Sequence, residues 1–291
     1  METNIGIALQ SLALGDDGIF SGLEKGESLR NEGQHREHEF RQSIARDAER
    51  VDLNEIGNYH SVRVMDAEVS KFLECIPRNG SVLDIGAGWG WHWRNLHQTR
   101  PDVTLVIVDF AKENLILAKN LLQPQNGNRL FLVQADARSL PFQFSSEFRG
   151  FNGAWSVQTL QHVPDFKSAV REIHASLQKG GVFWNYSLSV QPHIRLMKQV
   201  LGREYVTAGE TPQGFWLERG SRKQATWVEE LFHSPVRVRY SEFIFSPEIR
   251  FTLPGLPASR VLGSLDTQLS GKLWAPRSFA RQISYHVRKT N

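Results

Sequence analysis

The stretch Val82-Leu83-Asp84-Ile85-Gly86-Ala87-Gly88-Trp89-Gly90 decides the fold of this chain. β-Favouring residues and one acid lead into three glycines spaced two apart. Glycine suits a turn whose backbone swings through unusual φ/ψ and lies against a ligand without interference from a Cβ. The helix that such a turn opens presents its first N–H groups as a polar wall. A glycine-rich loop alone is a weak signal. Two further strands sharpen it. Val103-Thr104-Leu105-Val106-Ile107-Val108 ends in Asp109, at the distance expected for a ribose-binding carboxylate, and Leu130-Phe131-Leu132-Val133-Gln134-Ala135 ends in Asp136. Three successive strands each deliver an acid at or near a strand end.

From about Arg63 to about Ser187 the sequence resembles the class I S-adenosylmethionine-dependent methyltransferases, particularly their small-molecule branch. The family's DxGxGxG form is Asp84, Gly86, Gly88 and Gly90. Its ribose acid falls on Asp109, and its adenine-amine partner on Asp136 within Ala135-Asp136-Ala137-Arg138-Ser139-Leu140-Pro141-Phe142. Ser156-Val157-Gln158-Thr159-Leu160-Gln161-His162-Val163 looks like the exit of the fourth strand. Arg171 to Gly181 resembles the next helix and its Gly-Gly turn. The resemblance implies a Rossmann-like, doubly wound α/β fold whose mostly parallel seven-stranded sheet runs 3-2-1-4-5-7-6, with strand seven antiparallel. It also implies S-adenosylmethionine as cofactor, held by Asp84, Gly86, Ala87, Gly88, Gly90, Asp109, Phe110, Asp136, Ala137 and Ser156. Asn152 stands where the family often has aspartate, a position that is usually structural.

A nicotinamide site also needs a glycine turn, a helix N-terminus and a later acid. There the pattern is GxGxxG and the helix N-terminus holds a pyrophosphate. This chain has GxGxG, with bulky Trp89 and Trp91 flanking the last glycine where a phosphate must approach closely. Asp84 beneath the loop suits the amino group of a methionine moiety better than a pyrophosphate.

The 291 residues are ample for a buried core in one large domain or two small ones. The single cysteine, Cys75, excludes an internal disulfide and a cysteine-based zinc cluster, and reads as a core residue on an apolar helix face. No run reaches the ~18 apolar residues that cross a bilayer. Ile5 to Leu14 is short, lacks a basic leader and meets Asp16-Asp17, so it does not read as a signal peptide, and a cytoplasmic location is expected. The net charge of +3 is too small to argue for nucleic acid. After Asp266, however, no carboxylate follows while Lys272, Arg277, Arg281, Arg288 and Lys289 accumulate. That run reads either as a solvated sheet edge or as a patch for an acidic substrate or an anionic membrane surface.

Residues 1–33 are Gly-, Asp- and Ser-rich with weak periodicity and read as a disordered arm. Residues 34–76 hold two amphipathic helices, one near 36–51 and one near 58–75, placed where lid helices are expected. Residues 77–291 form the main domain, with strands near 81–85, 104–109, 130–134, 152–156 and 182–187 alternating with helices, which implies a parallel sheet covered on both faces. Helix and strand candidates at 225–232, 236–244 and 282–288 complete it. Insertions at about 188–222 and 246–281 lie at the carboxyl edge, where a variable pocket is built.

Methyl transfer from a sulfonium is an in-line displacement, so the protein mainly positions a nucleophile and removes its proton. Histidine suits that task near neutral pH. His162, just past strand four, is the candidate base; the alternative is that it only fixes its loop. His92 reads as packing. Tyr59 and His60 could cover the ligand, Trp184, Phe215, Trp216 and Trp274 could shape an aromatic pocket, and Arg195 and Arg219 could hold a carboxylate or phosphate. No Asn/Asp-Pro-Pro-Tyr/Phe follows strand four, and that strand ends in Ser156 and Gln158 rather than an acidic cluster. The expectation is therefore neither base-flipping chemistry nor a metal ion. The leading reading is methyl transfer to a small-molecule or glycan-like acceptor at oxygen. The alternatives are a protein, lipid-quinone or amine acceptor, or a cofactor-binding scaffold without turnover.

Overall fold

The computed structural model describes residues 5–23, 39, 60–244, 257–272 and 277–290. In chain order the elements are α1 (Ile5–Leu9), β1 (Ala13–Leu14), β2 (Phe20–Ser21), α2 (His60–Glu74), β3 (Ser81–Ile85), α3 (Leu96–Thr99), β4 (Thr104–Asp109), α4 (Lys112–Asn126), β5 (Leu130–Gln134) and β6 (Phe151–Val157). There follow α5 (Phe166–Ser176), β7 (Leu177–Leu188), α6 (Pro192–Val200), β8 (Ala208–Glu210), β9 (Trp216–Glu218), α7 (Arg222–Phe232), β10 (Arg237–Ser241), α8 (Pro257–Leu269) and β11 (Gln282–Arg288).

The main sheet has the order β1-β2-β5-β4-β3-β6-β7-β11-β10. Its last seven members reproduce the expected order, parallel from β5 to β7, with β11 antiparallel to both β7 and β10. The central strands β3 and β4 are buried along their whole length, as strands covered on both faces must be. α1, α5 and α7 seal one face over Leu83, Val106 and Phe183, while α2, α3 and α4 seal the other over Val82, Leu105 and Ile107. The doubly wound α/β expectation holds, with nine strands rather than seven.

For residues 5–23, the described part of the arm at 1–33, the two extra strands correct the reading as disordered. Ile5, Ala8 and Leu9 are buried in the core, and β2 pairs in parallel with β5 through Phe20–Val133 and Ser21–Gln134. Weak periodicity hid this because two-residue strands are too short to show a period. The expected helix near 36–51 lies outside the described residues, apart from residue 39; the one near 58–75 is α2. Cys75 falls just beyond α2 and is exposed, not core. Asn152 is structural as expected, its Oδ1 accepting hydrogen bonds from the Ser81 backbone (2.9 Å) and hydroxyl (3.3 Å).

Candidate functional site

β3 runs into the glycine turn, and the three glycines take φ values of 70° at Gly86, 57° at Gly88 and 68° at Gly90. Such angles favour glycine, but the surroundings differ. A Cβ on Gly86 would lie 2.0 Å from Thr159 Cγ2, and one on Gly90 would lie 2.8 Å from Leu122 Cδ1. A Cβ on Gly88 would meet no atom within 4 Å. Gly86 and Gly90 therefore let the protein pack on itself, while Gly88 leaves open space where a ligand can lie on the backbone. The turn is braced from two sides. Gly86 N–H donates to the Val108 carbonyl (2.6 Å), and Thr159 Oγ1 donates to the Gly86 carbonyl (2.6 Å). Nothing in the sequence pattern marked Thr159 for this role.

Three carboxylates stand at or near the ends of β3, β4 and β5. Asp84 is fully buried; its Oδ2 accepts from the Trp93 indole (2.5 Å) and from His92 Nε2 (2.8 Å), and its Oδ1 has no hydrogen-bond partner among the described residues. His92 is thus more than packing, because it and Trp93 share the tight turn Trp91–Trp93 and hold the acid's orientation. Asp109 ends β4. Its Oδ2 accepts from Gly88 N–H (2.9 Å), and its Oδ1 accepts from Ala111 N–H (2.9 Å) and Asn114 Nδ2 (3.2 Å). Asp136 is gripped by Arg138, whose Nε reaches Oδ1 (3.0 Å) and whose terminal nitrogen reaches Oδ2 (2.5 Å). That pairing holds the Arg138 guanidinium above its usual range. The Asp-x-Arg spacing was the available signal for this partner.

Other expected contacts are placed differently. Ser156 is fully buried with Oγ donating to the Ile85 carbonyl (3.1 Å), so its side chain ties β6 to β3. The Ala87 side chain is in the core, leaving its backbone to face a ligand. Phe110 and Ala137 stand half-buried beside Asp109 and Asp136, and the Phe110 carbonyl accepts from Gln134 Nε2 (3.2 Å).

His162 closes the tight turn Leu160–His162 after β6. Its Nδ1 is 2.9 Å from the Trp216 carbonyl, which can only accept, so Nδ1 carries a proton. In the neutral ring Nε2 then accepts from Gln161 Nε2 at 3.1 Å. Gln161 Oε1 in turn accepts from Leu188 N–H (2.8 Å), and Phe215 meets the imidazole edge-on at 5.6 Å. The β8–β9 hairpin of the first insertion thus orients the imidazole against the carboxyl edge of the sheet. A proton held on Nδ1 makes Nε2 the basic atom.

The remaining candidates divide. Trp216 and Phe215 do border His162. Trp184 is stacked on His286 at 3.5 Å between centroids, as a core residue. Arg219 donates to the Val206 (2.9 Å) and Ser189 (3.2 Å) carbonyls and lies over the Tyr205 ring, so it serves the insertion and not an anion. Tyr59 and Trp274 lie outside the described residues, and His60 opens α2. The basic C-terminal run is dispersed: Arg281 pairs with Glu242 (2.6 Å), Arg288 donates to Gly180 O (2.6 Å), and Lys289 donates to the carbonyls of His174 and Leu177 (both 2.7 Å). It does not form one patch. Among the described residues, no helix is long and apolar enough to cross a membrane, and no three His, Cys, Asp or Glu residues converge as a metal site.

Residues 82–181 match the family described as "Methyltransferase domain". The demethylmenaquinone methyltransferase of Roseiflexus castenholzii is 35% identical over 105 residues, 36% of this chain and about two fifths (41%) of that protein's length. The demethylmenaquinone methyltransferase of Lactococcus lactis is 24% identical over 181 residues, covering 56% of this chain and 68% of the relative. Among solved structures, Burkholderia thailandensis 1,6-didemethyltoxoflavin-N1-methyltransferase, with its substrate and S-adenosylhomocysteine bound, superposes with a TM-score of 0.54 at 15% identity. That superposition covers 92% of this chain and 94% of the other, which is a likeness of fold.

Proposed function

Residues 82–181 are a class I S-adenosylmethionine-dependent methyltransferase domain, and on that premise we propose that the protein transfers a methyl group to a small-molecule or glycan-like acceptor at oxygen, with His162 as the base. The carrying observation is the His162 ring, fixed through Nδ1–H to the Trp216 carbonyl so that Nε2 is the atom left to take a proton. The turn supports the cofactor assignment: the space over Gly88 admits a ligand, and acids stand around it. Bound there, S-adenosylmethionine would supply an electrophilic methyl group with its own leaving group.

The chain's residues would share the remaining work. The Gly86, Ala87, Gly88 and Gly90 backbone forms the cradle. Asp109 receives the ribose hydroxyls and Asp136 the adenine amine, with Phe110 and Ala137 alongside. Asp84 sets negative charge beneath the turn, which favours a cationic group above it. Gln161 yields Nε2 of His162 to the acceptor hydroxyl, and the Trp216 carbonyl stabilises the imidazolium that follows.

A second reading, a quinone acceptor, is favoured by the two relatives whose names specify demethylmenaquinone. The proposal further takes the protein as cytoplasmic, without a metal and without a nucleic-acid partner. The test is methyl transfer from labelled S-adenosylmethionine to a panel of hydroxylated sugars, hydroquinones and amines. His162→Ala should lower turnover by about 10²–10⁴-fold, with S-adenosylhomocysteine affinity near wild type. Turnover retained within about threefold would remove His162 from the chemistry. Labelling of hydroquinones alone would select the second reading, and cofactor binding with no transfer at all would select a scaffold.

A further inference from the structure

α6 carries apolar residues on two sides. Ile194 is buried and seats the helix, which packs against the turn Arg277–Phe279. At 3.6 residues per turn Leu196 and Val200 come round to the opposite side, where they are 62% and 78% exposed. Leu201, one residue past the helix, is 60% exposed, and Phe279 on the adjoining turn is 50% exposed. A helix that faces only water places polar residues on its outer stripe. Four large apolar groups turned outward on neighbouring elements instead mark a contact surface.

Basic residues predominate around this patch. Arg195, Lys198 and Arg203 lie on or just past α6, with the exposed Glu204 after them, and Arg277 stands exposed on the adjoining turn. Such a rim repels a second copy brought face to face about a two-fold axis, where like charges would meet. It suits an anionic surface, because long basic side chains can lay their stems along apolar contacts and reach phosphate with their heads.

We infer that α6 and the Arg277–Phe279 turn dock the protein on an anionic lipid surface. Leu196, Val200, Leu201 and Phe279 enter the headgroup layer while Arg195, Lys198, Arg203 and Arg277 meet the phosphates. α6 begins four residues after Leu188, the residue whose N–H is held by Gln161 next to His162. The contact would therefore bring the carboxyl edge of the sheet toward the lipid. This places the membrane contact on the first insertion together with Arg277 alone of the C-terminal basic run.

The test is co-sedimentation of the full chain with phosphatidylcholine vesicles, with and without phosphatidylglycerol. Binding should require the anionic lipid and weaken with added salt. Leu196→Ser combined with Val200→Ser should lower the partition coefficient by on the order of tenfold, since membrane affinity scales with inserted apolar area. Arg195→Gln and Lys198→Gln should each lower it by about fivefold on anionic vesicles. Leu196, Val200 and Arg195 are exposed, so the circular dichroism spectrum and melting temperature of those variants should be unchanged, while Lys198 is half-buried over the Tyr205 ring and its variant is read only alongside Arg195→Gln. Wild-type protein left in the supernatant, or variants that sediment as wild type does, would overturn the inference. So would light scattering showing a dimer that the Leu196→Ser, Val200→Ser variant converts to monomer, because that would assign the face to a second copy.

Discussion

The β5-β4-β3 half of the sheet and the β7-β11-β10 half bury polar groups in different ways. In the first, acids sit at strand ends and are supplied by near neighbours: Asp109 by Gly88, Ala111 and Asn114, and Asp136 by Arg138. In the second, polar side chains lie in mid-sheet beneath α2 and α8. Glu68 of α2, Arg239 of β10, and Gln282, Ser284 and His286 of β11 are all buried. Arg239 donates to Glu68 Oε1 at 2.8 Å across 171 residues of sequence. Yet among the described residues Glu68 Oε2, Arg239 Nε, Gln282 Oε1, Ser284 Oγ and His286 Nε2 have no hydrogen-bond partner. Buried polar groups are normally paired, and here the Glu68–Arg239 pairing is by charge as well as by hydrogen bond, with His286 Nε2 lying 3.9 Å from Glu68 Oε2. The integrity of the second half depends on the docking of α2, whereas the first half is a cradle completed by its own turns.

The largest expected effect is on the second half. Glu68→Ala leaves Arg239 charged and buried without its partner, which should cost about 3–5 kcal/mol of stability, read by chemical denaturation. A loss under about 1 kcal/mol, the exposed-pair range, would mean that the pair does not hold the two elements together. Next comes Asp109→Ala in the cradle. It should weaken S-adenosylhomocysteine by about 1.5–3 kcal/mol, the range for charged hydrogen bonds, and unchanged calorimetric affinity would detach Asp109 from the ligand. Gly88→Ala should cost roughly 1–2 kcal/mol in folding for its left-handed backbone. Cofactor affinity should fall further, because the new methyl enters the open space over Gly88.

Two smaller effects sharpen the contrast. Trp93→Phe removes one of the two donors on Asp84, a loss of about 0.5–1.5 kcal/mol. If Asp84 acts on the amino-acid end of the cofactor, S-adenosylhomocysteine should weaken while methylthioadenosine, which lacks that end, binds as before. Equal losses would show a general loosening of the turn. The last effect is on pH dependence. Burial, then Lys289 and His233, hold His174 down to about 4 from an ordinary 6.5. Burial, then Arg239, Arg237 and Lys71, hold His286 well below the same value. Both remain neutral in the fold while the unfolded chain takes up protons, so stability should be full above about pH 6.5 and decline as pH falls toward 4. His174→Gln should flatten part of that decline in melting curves, and an unchanged slope would remove His174 as a source.

The cradle was legible because its signals are local. Alternation and apolar runs announce β3, β4 and β5, three glycines announce the turn, and acids announce strand ends, each within a stretch shorter than one strand-helix-strand unit. Even there the sequence understated the connections, since Asp109 also braces Gly88 and Asp136 is already engaged by Arg138. Ser156 shows the limit of such signals, because a strand-end serine looks the same in sequence whether or not its hydroxyl is held by a neighbouring carbonyl.

By itself, then, the sequence determined the doubly wound sheet, the position of the glycine turn and the acids around it, because those follow from backbone preference and hydrophobic period over a few residues. Only the tertiary structure decided that residues 5–23 extend the sheet, that Trp216 orients His162 from 54 positions away, and that Glu68 meets Arg239. It also decided that Arg281, Arg288 and Lys289 of the basic C-terminal run are divided among Glu242 and internal carbonyls, while apolar side chains on α6 face outward. These outcomes rest on which distant surfaces meet when the core closes, and no local period encodes that choice.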